Sequence, residues 1–140
     1  MTRSARQASG PSAVDVAIRL ALVGLTFATA YIHSTLGGLM FTANALGFAT
    51  LGIAMLVPVG LAVQYRGLIQ VALGGFAAAT IGGWLLFGAR YSTAYLATGI
   101  EIAIVALVAV ATYRAYGSPV AIARSFVARV SGPSSAGAAA

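Results

Sequence analysis

Thr98-Gly99-Ile100-Glu101-Ile102-Ala103-Ile104-Val105 sets a carboxylate inside an apolar run that extends from about Ala94 to Tyr113. At about 1.5 Å per residue, a helix of that length crosses a hydrocarbon core of about 30 Å. An ionisable side chain at such depth costs roughly a few kcal/mol, so Glu101 is expected to face a bundle interior and to find a partner there. The reading therefore turns on which other segments span, and on which polar groups they carry.

Of the 140 residues, 60% are hydrophobic and only 7% charged, which leaves too few polar side chains to cover a soluble globule. The chain reads as an all-α membrane protein. With no cysteine it has no disulfide framework, thiolate metal site or cysteine nucleophile. With no lysine it has no P-loop and no Schiff-base lysine. The formal charge of +6 comes from eight arginines placed in tails, turns and helix ends, which is the pattern of a topology signal and not of a nucleic-acid surface.

Four spans are predicted, at about residues 14–33, 39–57, 68–88 and 94–113, within a transmembrane domain over 13–114. Residues 1–12 form a flexible tail of small and polar residues with Arg3 and Arg6. Ser12 is placed to cap the first helix, and Asp15 stands four residues before Arg19 on one face, where an interfacial ion pair is expected. Thr26, Thr29 and His33 are spaced by three and four and share a stripe near the far end of that span. Ala28-Thr29-Ala30 also resembles a signal-peptidase site, but the long basic region and full spanning length favour a retained helix.

The second span carries Asn44 between Phe41 and Phe48 and stops at Pro58; Asn44 is expected to bond between helices. Gln64, Tyr65 and Arg66 then form an interfacial anchor set. In the third span Gly74, Ala78 and Gly82 make one small-residue strip, and Gly75, Ala79 and Gly83 the adjacent one, with Gln70 continuing the first. Such strips let backbones approach closely, which puts this helix centrally or at a self-association interface. Trp84, Arg90, Tyr91 and Tyr95 read as an aromatic belt with a snorkelling cation. Beyond Arg114, Ser118-Pro119 starts a short interfacial amphipathic helix over 118–130, with Ile122, Phe126 and Val130 on one face and Arg124 and Arg129 flanking it. Residues 131–140 form a second tail.

Seven arginines fall on the side of the termini and second turn, and Arg90 alone on the other, so both termini are expected to be cytoplasmic. That topology brings Glu101, His33, Asn44, Arg90 and Thr29 toward one layer in the outer half of an antiparallel four-helix bundle. These five are the candidate ligand- or proton-binding residues. One histidine and one intramembrane carboxylate fall short of the three or four ligands usual for zinc, and no GxSxG, GxGxxG or Ser/His/Asp pattern offers a catalytic site. A haem held by two histidines would need two subunits, and the cofactor is left open.

The histidine ending the first span, Met40-Phe41-Thr42-Ala43-Asn44-Ala45, Gly88-Ala89-Arg90 and Glu101 together resemble a group of small bacterial four-span membrane proteins of unknown function. The resemblance covers about residues 14–114 and implies a multi-pass protein of the bacterial cytoplasmic membrane, without an activity. In size and span count the chain is also similar to small multidrug transporters. Those carry their coupling glutamate in the first span, where this chain has none.

The resulting expectation is a small subunit or scaffold of a membrane complex, whose polar outer layer binds a partner or small ligand. Its partners are then the bilayer and other membrane proteins or a second copy, with no nucleic acid. The alternative is a proton- or cation-coupled transporter using Glu101 and assembled as an oligomer.

Overall fold

The structure is a computed structural model that describes residues 12–58, 60, 64–118, 120, 121, 124, 127 and 128. Its helices are α1 (Ala13–Thr35), α2 (Leu39–Leu56), α3 (Arg66–Phe87) and α4 (Ser92–Tyr116), and no strand occurs among the described residues. All four are long and apolar enough to cross a membrane. The protein is a multi-pass, all-α membrane protein.

Local chemistry sets the helix ends. The Ser12 hydroxyl accepts from the Asp15 backbone N–H at 3.2 Å, which satisfies one of the donors that the first turn of α1 leaves orphaned. Between α1 and α2 the chain turns through Gly37 and Gly38, whose φ values of 71° and 86° only glycine adopts cheaply. Val57 is extended ahead of Pro58, as the proline ring demands, and α2 stops there. α4 runs past Arg114 to Tyr116 and ends where Gly117 adopts the left-handed conformation at φ 77°.

Each helix packs on the next, and α1 also packs on α4, which closes a ring of antiparallel neighbours. Leu22, Phe48, Met55, Leu73, Ile104 and Val108 fill its centre. Leu20, Leu46, Ile53, Leu86, Leu96 and Ile102 point outward and are exposed, as lipid-facing side chains are. Apolar burial gives little drive between helices in lipid, so close contacts and interhelical polar bonds decide the packing.

Two sequence expectations change here. Asp15 does not pair with Arg19: its carboxylate accepts from Arg114 Nε of α4 at 2.9 Å, while Arg19 Nη2 donates to the Met55 carbonyl at the end of α2 at 2.6 Å. The antiparallel ring brings the last turn of α4 beside the first turn of α1, and a half-buried guanidinium gains more from an orphan helix-end carbonyl than from an exposed i,i+4 partner. The small-residue strips are likewise only partly used. Gly74 is buried, and a Cβ built on it would lie 2.9 Å from Val108 Cγ1, but Gly75, Ala78 and Ala79 are exposed. A Cβ built on Gly82 meets nothing within 4 Å, and one built on Gly83 meets only Met40 Cε at 3.9 Å. The face that α3 buries is Leu73, Gly74 and Ala77, one position away from the strip through Ala78.

Past α4, the Ser118 hydroxyl accepts from the Ala121 N–H at 3.2 Å. Ile122, Phe126, Arg129 and Val130 of the expected amphipathic helix lie outside the described residues, as do residues 1–11 and 131–140 of the two tails.

Candidate functional site

The stripe on α1 faces the bundle: Thr26, Thr29 and His33 are all buried. Thr26 is satisfied on its own helix, donating to the Leu22 carbonyl at 2.6 Å. Thr29 instead crosses to α4, its hydroxyl donating to Glu101 Oε1 at 3.4 Å. His33 Nδ1 lies 2.9 Å from the Thr29 carbonyl and 3.3 Å from the Thr29 hydroxyl. A carbonyl oxygen only accepts, so Nδ1 carries a hydrogen. That leaves Nε2 turned toward Glu101 Oε1 at 3.6 Å, with the two side chains only 7% and 3% exposed. Phe41 and Phe48 of α2 hold the imidazole, with ring centroids 6.0 and 5.8 Å away.

This geometry defines what the pair can do. With Nδ1 already protonated, Nε2 is the remaining polar ring atom and faces the carboxyl oxygen at 3.6 Å, so a proton on either group lies beside the other. Loss of either partner leaves the other without its counterpart.

Beside the pair opens a cavity of about 370 Å³, with walls contributed by all four helices. That volume falls within the range that holds a small organic ligand. Its surface is mostly apolar, from Met40, Phe41, Phe87, Ala94 and Ala97, with Trp84 and Tyr91 toward the exit and His33, Glu101, Asn44, Thr80 and Thr98 as the polar groups. Asn44 is half-buried and makes no hydrogen bond among the described residues, so its amide is turned to the cavity wall instead of gluing helices together. Thr80 donates to the Ala77 carbonyl at 2.8 Å and lines the same cavity as Glu101, from α3.

Of the five residues singled out from sequence, Glu101, His33 and Thr29 form one bonded cluster and Asn44 lines the same cavity. Arg90 stands apart. It is exposed, its guanidinium 5.5 Å from the centroid of the Trp84 ring, whose Nε1–H donates to the Ala89 carbonyl at 3.1 Å and whose face meets Tyr95 edge-on at 5.3 Å. A guanidinium that can stack on an aromatic face at the rim has no reason to lose its hydration to reach Glu101.

Thr80 and Thr98 are the polar wall residues that sequence reasoning passes over. Thr98 had a signal, since it stands three residues before Glu101 and shares its face. Thr80 had only its hydroxyl in an apolar span, one position off both glycine strips. Among the described residues no group of three or more His, Asp or Glu side chains is placed to hold a metal ion. The chain matches no family model, no curated protein and no solved structure, so a functional reading rests on the chemistry of this cavity.

Proposed function

We propose that the protein is a small-ligand-binding subunit of the membrane, taking into the cavity beside His33 and Glu101 a compact, mostly apolar molecule with one polar end. The observation that carries this reading is a 370 Å³ space with apolar and aromatic walls broken by a few polar side chains, among them His33, Glu101 and Asn44. Such a lining binds the body of a ligand by apolar contact and fixes its orientation through a few polar groups. Asn44, with an unused amide, and the His33–Glu101 pair are the orienting groups; Trp84 and Phe87 are the walls.

Trp84 is the only tryptophan and lies on the cavity wall, so it reports occupancy directly. A small brominated phenol, which quenches tryptophan by contact, is expected to lower Trp84 emission saturably in detergent-solubilised protein. Gly83→Leu adds a side chain to the cavity lining, where the atom nearest to its Cβ is Met40 Cε at 3.9 Å. It should remove the saturable component and leave the melting temperature unchanged. Quenching that rises linearly with quencher in both proteins would mean that the phenol reaches Trp84 only from the micelle, and would overturn the reading.

Orientation and location belong to the same proposal. The arginine asymmetry supports both termini inside and the cavity in the outer half, and the resemblance to small bacterial four-span proteins supports a bacterial cytoplasmic membrane. Cysteines placed at Ser9 and Ser135 should then resist impermeant thiol reagents in intact cells, while one at Ser92 should label. The reverse pattern would invert the topology.

A second reading, proton- or cation-coupled transport, is favoured by one observation: His33 Nε2 and Glu101 Oε1 face each other at 3.6 Å beside an open cavity. It predicts proton movement that depends on Glu101, which the ligand-binding reading does not require.

A further inference from the structure

At the end of the bundle opposite the His33–Glu101 pair, a second cavity of about 300 Å³ collects two arginines. Arg19 of α1 and Arg66 of α3 both line it, with Gln70 and Asp15 as the other polar residues and Leu20 and Leu56 among the apolar ones. Both arginines are half-buried. The carboxylate that lines the space is already engaged, since Asp15 accepts from Arg114 at 2.9 Å and from the Ser12 hydroxyl at 2.6 Å. Among the described residues neither Arg19 nor Arg66 has an ion pair, and Arg19 spends one donor on the Met55 carbonyl. That bond pins its guanidinium, and most of its five N–H groups remain unused.

Two like charges partly withdrawn from water into one space repel each other unless an anion lies between them. A phosphate group meets the requirement. It is negative, it offers several acceptor oxygens, and guanidinium groups bind it through paired N–H donors. The apolar walls beside the arginines point to what the phosphate belongs to, because Leu20 and Leu56 are exposed next to it and would run along an acyl chain. Arg19 lies in the second turn of α1 and Arg66 opens α3, so both guanidinium groups are within snorkelling reach of lipid headgroups.

We propose that Arg19 and Arg66 form a phosphate site that holds the headgroup of an anionic phospholipid between α1 and α3. The test uses the full chain in nanodiscs of phosphatidylcholine with and without phosphatidylglycerol, measuring melting temperature and, by native mass spectrometry, the phosphatidylglycerol retained. Phosphatidylglycerol should raise the melting temperature of the parent. R66Q removes a side chain without a hydrogen bond of its own among the described residues, and should weaken retention about fivefold; R19Q with R66Q should weaken it about thirtyfold. R90Q, at the other end, should retain the lipid as the parent does. Inorganic phosphate added to phosphatidylcholine nanodiscs separates the two sources. No effect assigns the site to lipid, and an equal stabilisation that R66Q abolishes assigns it to soluble phosphate and overturns the lipid assignment. Equal phosphatidylglycerol retention by the parent and R66Q overturns the site itself, and R66Q alone decides if the double variant does not fold.

Discussion

Glu101→Leu is expected to destabilise the bundle by about 1–3 kcal/mol, whereas Glu101→Gln should melt within about 1 kcal/mol of the parent. Leucine fills the volume but removes the carboxyl oxygen that accepts from the Thr29 hydroxyl at 3.4 Å and lies 3.6 Å from His33 Nε2. Glutamine keeps the shape and one of the two contacts: both reach Oε1, so its amide either accepts from Thr29 or turns an N–H toward the Nε2 lone pair. Thermal unfolding of both variants in one detergent checks the contrast. Equal destabilisation by both would show that the carboxyl is held ionised by His33, since an amide cannot replace a charge. The same two proteins separate the functional readings. In reconstituted vesicles, proton release by the parent that disappears in Glu101→Gln would favour transport over the binding subunit; no release from either protein leaves the binding reading in place.

The second large effect lies on α3. Gly74→Leu is expected to cost about 3 kcal/mol, because its first side-chain atom already falls 2.9 Å from Val108 Cγ1 on a packed neighbouring helix and the rest has no room. At Gly82, two turns along the same strip, a Cβ meets nothing within 4 Å, so Gly82→Leu should change the stability of a single chain by no more than about 0.5 kcal/mol. Melting curves of the two variants test this directly. Comparable destabilisation by both would mean that the strip is buried along its whole length. The detergent-solubilised mass adds a separate result: a changed mass with Gly82→Leu would assign the open part of the strip, with Gly75, Ala78 and Ala79, to self-association.

The four spans and the all-α class were legible in the sequence because lipid allows few solutions. Runs of about twenty apolar residues must satisfy their own backbone, and helices do so. The Ser12 cap was legible for a similar reason, since it depends on residues three apart in the chain. So was the sharing of one face by Thr26, Thr29 and His33, which needs only helical periodicity. What a helix faces depends on its rotation about its own axis, where one residue is a turn of about 100°. Periodicity within a span does not fix that rotation; the neighbouring helices do. Hence only the tertiary structure decided that α3 buries Ala77 and leaves Ala78 exposed, that Thr80 joins the wall beside Glu101, and that Arg90 stays on Trp84. The exchange of Asp15 from Arg19 to Arg114 has the same origin, because those residues are 99 apart in the chain and meet only when α4 closes the ring on α1.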